Sequence, residues 1–378
     1  MKIYKKATLP LGFRANGIAC GIKRSGKSDL ALFYSTLPGK AVGQFTTNKL
    51  AAAPVIFDKI SLQKNKQCQA IIVNSGNANA FTGKGGLSDV RVTARALANA
   101  LGIKKTAVLV ASTGIIARRL PIAKIKKGIP ELVNGLRKDG IAKAKKAILT
   151  TDTFTKEISV KFKIGRRVVT ICAIAKGAGM IAPDMATMLA FIFTDATITQ
   201  PALARSLKIC VGNSFNCITV DGCMSTNDSV FLLANAAAGN SLIDIDKNFP
   251  IFLKALNLVC LELAKMIIYD AEGASKFIRI KVKGARSFNE AKKAALAIAN
   301  SNLFKTAMYG ENPNFGRIAS AVGASGIKLE EKNLKIKVSP LFKKEINLEV
   351  NLSQGSSSCV VYTCDLTPEY IKVNASYN

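Results

Sequence analysis

Lys176-Gly177-Ala178-Gly179-Met180-Ile181-Ala182-Pro183-Asp184-Met185-Ala186-Thr187-Met188-Leu189 is the stretch on which the fold turns. A strand-like run, Val168 to Ile174, comes before it. A second apolar run, Thr187 to Phe193, comes after it. Gly177, Gly179 and Pro183 block regular structure between the two, and glycine lets backbone approach a ligand closely. The pattern places Thr187 at the mouth of a buried segment, beside an irregular turn.

Outward from this turn, strands and helices alternate. Leu30, Leu32 and Tyr34 read as a strand, as does Ala70 to Val73, which Asn74-Ser75-Gly76-Asn77-Ala78-Asn79-Ala80 closes. Residues 1–80 read mostly as strands and turns. Ser88 or Asp89 can cap a helix ending before Gly102, and Ala107 to Ala111 reads as a strand delivering Ser112-Thr113-Gly114. Helix follows from Pro121 to about Lys138, interrupted near Gly128-Ile129-Pro130, and again from Ile141 to Leu149. Ile158, Val160 and Phe162 form a hairpin with Val168 to Ile174 through Gly165. A long apolar helix follows Pro250, a half-exposed strand carries Ile278, Ile280 and Val282, and Ser287 with Glu290 opens a helix to Asn300. Strands return from Leu334 to the end. This alternation predicts an α/β fold of layered sheets covered by helices.

Composition narrows the chemistry. With 378 residues, two to three domains are expected, and 49% apolar residues suffice for a large core. No apolar run approaches the ~20 residues that span a bilayer, and Met1-Lys2-Ile3-Tyr4-Lys5-Lys6 opens no signal peptide, so a cytoplasmic protein is expected. The net charge of +30 comes from scattered lysines such as Lys126-Lys127 and Lys292-Lys293, without the basic–aromatic interleaving of a nucleic-acid surface. Nine cysteines with no CxxC point to free thiols rather than disulfides or zinc. Histidine is absent, which removes Ser-His-Asp and Cys-His catalysis. A catalytic base must then be a carboxylate, a Lys, a Tyr or an α-amine.

Gly21-Ile22-Lys23-Arg24-Ser25-Gly26-Lys27-Ser28 satisfies the phosphate-loop pattern. That motif works only between a strand and a helix. Asp29 to Pro38 reads as a strand broken by proline, so a plain turn is preferred over a nucleotide-hydrolysing enzyme. A basic nucleic-acid-binding protein and a self-cleaving aminopeptidase are the other rivals.

The Lys176–Leu189 stretch resembles the self-cleaving segment of the ornithine acetyltransferases, the glutamate N-acetyltransferases of arginine biosynthesis. The resemblance runs along the chain in order, through Asn74 to Ala80, Thr150-Thr151-Asp152-Thr153, Val220-Asp221-Gly222, Ser225-Thr226-Asn227-Asp228, Glu272-Gly273-Ala274-Ser275-Lys276 and Gly310 to Arg317. It implies self-cleavage of the Ala186–Thr187 bond into residues 1–186 and 187–378, with about 280–378 forming a smaller subdomain. Cleavage would free an α-amine of pKa about 7.7–8.0 on the residue that carries the hydroxyl. Such an amine supplies a base without histidine.

The implied reaction is N2-acetyl-L-ornithine plus L-glutamate giving L-ornithine and N-acetyl-L-glutamate, through an acetyl-Thr187 intermediate. Thr113 and Gly114 would form the oxyanion hole. Thr153, Lys176, Thr187, Glu272 and Asn374 would contact substrate. No cofactor or metal is implied, though some members take acetyl-CoA as a second donor. The implied assembly is a heterotetramer of two alpha and two beta chains. Ala117, Phe81, Phe315 and Cys223 replace a common Gly, Cys, Trp and Asp. Asn374-Ala375-Ser376-Tyr377-Asn378 stops one residue short of the family's usual terminal Thr or Ser.

Overall fold

A computed structural model describes residues 1–182, 188–245 and 247–376. The chain forms two compact units. The first holds the described residues of Met1–Gly177, Asp184–Ser214 and Met224–Leu263, and the second those of Ala178–Pro183, Phe215–Cys223 and Ala264–Asn378.

The first unit is built on nine strands: β1 (Lys2–Tyr4), β2 (Phe13–Ile18), β3 (Leu30–Phe45), β4 (Gln67–Asn77), β5 (Val108–Ile115), β6 (Lys156–Ile164), β7 (Arg167–Lys176), β8 (Leu189–Thr194) and β9 (Ser229–Ala234). They run in the order β1-β6-β7-β8-β9-β3-β4-β5, with β2 also on β3. The 16-residue β3 belongs to both halves of this sheet. Leu30–Tyr34 pairs with β2 and β4, while Lys40–Phe45 pairs with β9. The β4 register breaks between Tyr34 and Gly39. Pro38 falls in that break, where a residue without an N–H costs no ladder bond.

The break lets the sheet fold over on itself. Phe33 then stacks on Phe191 at 5.2 Å and meets Phe193 at 5.1 Å, and Phe13 reaches Phe193 at 5.2 Å. The inner layer between the halves is this aromatic cluster with Ile71, Val73, Ile174, Leu189 and Phe231. Each fully buried Phe contributes roughly 1.5–3 kcal/mol. All six residues of β8 are buried, so both of its faces are covered, which explains its uninterrupted apolar run.

Helices α1 (Ala53–Lys64), α2 (Gly83–Leu101) and α3 (Ile122–Asn134) cover the outer face of the β2–β5 half. Val90, Ala94, Leu97 and Ile129 pack there on Leu30, Leu32, Ile72 and Val110. Helix α4 (Ile141–Ala147) turns Ile141, Ala144 and Ala147 into the inner layer. On the other half, α5 (Gln200–Gly212) reaches β3 through Gln200, whose Nε2 donates to Ala41 O at 2.9 Å, and α6 (Phe249–Tyr269) sets Phe252 against Phe162.

The second unit pairs β10 (Phe277–Ala285), β11 (Lys335–Val338), β12 (Glu345–Asn351) and β13 (Ser357–Cys364) in the order β11-β12-β10-β13. Ile278, Ile280 and Val282 point into a core closed by α7 (Phe288–Ala299), α8 (Asn302–Tyr309) and α9 (Phe315–Gly323). Ser287 caps α7, its Oγ accepting the Glu290 N–H at 3.2 Å. The layered α/β architecture read from the sequence is present, as are the β6–β7 hairpin and the β5 strand.

Four local readings need correction. Residues 1–80 contain a helix, α1, with Pro54 in its first turn; Asp58 on it accepts the Val110 N–H at 3.1 Å, a tertiary contact invisible to local pattern. Helix α2 starts at Gly83, not at Ser88 or Asp89, and Asp89 is buried where Arg119 pairs with it at 3.0 Å. Helix α3 continues through Gly128 and Pro130, because the burial of Ile125, Ile129 and Leu132 outweighs the hydrogen bond lost at proline. The chain's last described element is a helix, α10 (Pro368–Ala375), with Thr367 accepting the Tyr370 N–H at its start.

Candidate active site

The parallel strands β4 and β5 end side by side, with Ser75 opposite Thr113 and Gly76 opposite Gly114. Gly114 has a φ of +131°, and a Cβ there would lie 2.4 Å from the Gly76 carbonyl carbon. Only glycine fits this approach. Asn227 ties the strand ends together by donating to Ala78 O at 2.6 Å and Ser112 O at 2.8 Å, and Ser112 Oγ donates to Asn74 Oδ1 at 2.6 Å. Thr113 differs from its neighbours. It is 1% exposed, yet its Oγ1 has no hydrogen-bond partner among the described residues. Burying a hydroxyl unpaired costs about 1–3 kcal/mol, and such groups in native folds call for an explanation. An open donor beside a glycine amide is what a developing oxyanion requires.

Lys176 closes β7 and is buried, although ion pairing at the surface is the usual fate of such a residue. Its ammonium lies 3.9 Å from Asp152 Oδ2. The buried Asp152 carboxylate also takes Lys156 Nζ at 2.7 Å and the Gly177 N–H at 2.7 Å. Burial pushes its pKa up, but the cations of Lys176 and Lys156 and the Gly177 N–H prevail and bring it down to about 2. Asp152 thereby fixes both the Lys176 end of β7 and the chain leading to the exposed Thr153. A carboxyl held below its unfolded pKa stabilises the fold above about pH 4, and that stability is lost as pH falls through 2. Acid unfolding should therefore show a loss of roughly 2 kcal/mol between pH 5 and 2 that is absent in Asp152→Asn.

The Gly21–Ser28 segment leads into β3, not a helix, so it is no phosphate loop. The amides that would cradle phosphate are taken by the protein itself. The buried Asp29 carboxylate accepts N–H groups from Cys20 at 2.7 Å, Ile22 at 2.6 Å and Lys23 at 3.0 Å. Lys23 Nζ donates to Ser28 O at 2.8 Å and Leu149 O at 2.7 Å. Burial brings the Lys23 pKa down to about 8, with Asp29 opposing and Lys176 reinforcing the shift. The turn thus braces the approach to Asp152. Asp29→Ala would strand three amides and should lower stability by about 3 kcal/mol, read from a urea midpoint.

The predicted cleavage site, Ala186 and Thr187, lies outside the described residues. Met188, the next residue, is buried, and its N–H donates to Asp228 Oδ1 at 2.9 Å.

In the second unit, Asp221 organises the turn after Gly177 by accepting the N–H groups of Met180 at 2.7 Å and Ile181 at 2.9 Å. Tyr370 on α10 donates to Asp221 Oδ2 at 3.1 Å. Glu272 accepts Asn374 Nδ2 at 3.1 Å, and its N–H donates to Ala178 O at 3.0 Å. A Cβ on Gly179 would fall 2.2 Å from the Glu272 carboxylate, so that glycine makes room for it. The structure thus joins Glu272 with Asn374 in this unit, and holds Thr113, Gly114, Thr153 and Lys176 in the first. Asp152, Asp221, Asn227 and Asp228 were quoted in sequence only as parts of motifs. Their shared signal is a carboxylate or amide inside a loop rich in small or hydroxyl-bearing residues. Ala117 has a φ of +63°, which accounts for glycine being common there. Among the described residues no three Cys, Asp or Glu side chains form a metal cluster, and no helix is long and apolar enough to cross a membrane.

A buried, unpartnered threonine hydroxyl beside a glycine at paired strand ends, in a histidine-free α/β fold, is an arrangement suited to acyl transfer. The chain belongs to the ArgJ family, whose model matches residues 14–378. It is 43% identical over 391 residues to the arginine biosynthesis bifunctional protein ArgJ of Oceanobacillus iheyensis, covering 98% of this chain and 95% of that one. It is 44% identical over 390 residues to ArgJ 1 of Clostridium acetobutylicum, covering 97% and 95%. An ornithine acetyltransferase from Mycobacterium tuberculosis, solved in complex with ornithine, is 38% identical, covers 48% of this chain and 98% of its own, and superposes with a TM-score of 0.46.

Proposed function

We propose that this ArgJ-family acetyltransferase of arginine biosynthesis moves an acetyl group from N2-acetyl-L-ornithine to L-glutamate through an ester on Thr187. Family membership over nearly the whole chain supports the reaction, and the unpartnered Thr113 hydroxyl is the structural observation that carries the acyl chemistry. Maturation begins when Thr187 Oγ attacks the Ala186 carbonyl. The C–N bond breaks, the nitrogen gains the hydroxyl proton, and water hydrolyses the resulting ester. Residues 1–186 and 187–378 then form the two chains. They stay together because β7, before the cut, pairs with β8 after it, Lys176 lying opposite Leu189.

In turnover the α-amine of Thr187 takes the Oγ proton while Oγ attacks the acetyl carbonyl. Thr113 Oγ1 and the Gly114 N–H receive the oxyanion. Collapse expels ornithine, whose amine leaves with the proton. The neutral amine of glutamate then attacks the acetyl-Thr187 ester and regenerates the hydroxyl. Lys176 meets a substrate carboxylate, Glu272 with Asn374 meets the ornithine ammonium, and Thr153 completes the contacts. The substrates are small molecules, the proposed reaction needs no cofactor, and acetyl-CoA is a candidate second donor. The assembly is a heterotetramer of two alpha and two beta chains in the cytoplasm.

The test is product analysis with N-acetylornithine and glutamate. Ornithine and N-acetylglutamate should appear in equal amounts and only when both substrates are present. Peptide hydrolysis without acetyl transfer would favour an aminopeptidase instead.

A further inference from the structure

Asp228 is fully buried at the start of β9, and the reaction as written does not use it. Its Oδ1 accepts the N–H of Met188, while its Oδ2 has no hydrogen-bond partner among the described residues. Its own carbonyl accepts the Thr46 N–H at 3.1 Å, and β9 lies parallel to β8 with Ser229 opposite Leu189. The side chain is therefore held from behind by regular sheet, and it accepts the N–H of the residue that follows Thr187. A carboxyl so deeply buried is a cost to the fold. Replacement by an apolar group would serve stability as well or better.

We propose that Asp228 is a positioning residue for the nucleophile, its carboxyl gripping the Met188 N–H and so fixing the point at which the chain enters β8, one residue after Thr187. Burial raises its pKa well above the carboxylate range, against the opposing influence of the Met188 N–H, the Lys176 ammonium and the Ser225 hydroxyl. The Met188 N–H needs only an acceptor oxygen at that place, whatever group carries it. A neutral acceptor of the same shape should do the same work.

This inference rests on the Thr187 reading above, and the two fail differently. The full chain carrying Asp228→Asn or Asp228→Ala is compared with wild type by intact mass, for cleavage, and by kcat and KM for N-acetylornithine. Asparagine keeps the acceptor and should give complete cleavage with kcat within about threefold of wild type. Alanine should slow cleavage and lower the kcat of the cleaved fraction by about 30-fold or more, with KM changed less than about threefold. Asparagine as damaging as alanine, or alanine indistinguishable from wild type, overturns the proposal. Should the alanine variant not fold, the asparagine variant alone decides. An uncut wild-type chain that is nonetheless active would sink the Thr187 reading itself.

Discussion

Thr187→Ala should yield one unbroken polypeptide with no measurable acetyl transfer. The expected loss exceeds about 10⁴-fold in kcat, because the substitution removes the nucleophile and, by preventing cleavage, the α-amine base as well. The two losses are one event, which distinguishes this chain from enzymes whose base is a separate histidine. With no histidine anywhere in the sequence, the usual side-chain base of neutral pKa is not there to replace that amine. The measurement is a denaturing gel alongside steady-state release of ornithine. Thr187→Ser, which keeps a hydroxyl, should cleave and retain partial activity.

Thr113→Val should lower kcat by about 10²–10³-fold, the usual consequence of deleting one oxyanion donor. KM for N-acetylornithine should change little, since the donor acts on charge that develops only in the transition state. The stability readout separates this from mere damage. Because Oγ1 of Thr113 makes no hydrogen bond among the described residues, valine, of the same shape, should leave the thermal midpoint unchanged or raise it. A variant that is both unstable and inactive would point instead to a hydroxyl needed by the fold.

Much of the strand pattern was legible in the sequence because it is carried by local signals. Ile158, Val160 and Phe162 alternate and face a two-residue turn at Gly165, and β6–β7 is the hairpin they describe. Ser287 and Glu290 announce the start of α7. The strand pattern of Asp29 to Pro38, where a helix would be needed, was enough to disfavour a phosphate loop. What was not legible depends on contacts distant in sequence. Proline at position 38 reads as a strand's end, yet β3 runs through it, because β4 pairs on both sides of it and the later half gains a second partner in β9. Pro130 reads as a break, yet α3 is held by the core beneath it.

The candidate site divides in the same way. Thr113 and Gly114 stand out from a strand followed by a small-residue turn, and the family resemblance brought Lys176, Glu272, Thr153 and Asn374 to attention. The aspartates behind them did not stand out. Asp152, Asp221 and Asp228 look like solvated turn residues in a chain with 24 acidic side chains. Only the folded structure shows each of them gripping backbone amides next to Lys176 through Leu189.

The account depends on a threonine becoming an N-terminus, so the decisive measurement is the intact mass of the purified wild-type protein under denaturing conditions. It should resolve into two components whose masses sum to the whole chain plus one water, the second beginning at Thr187. A single full-length species that carries full acetyltransferase activity would contradict it.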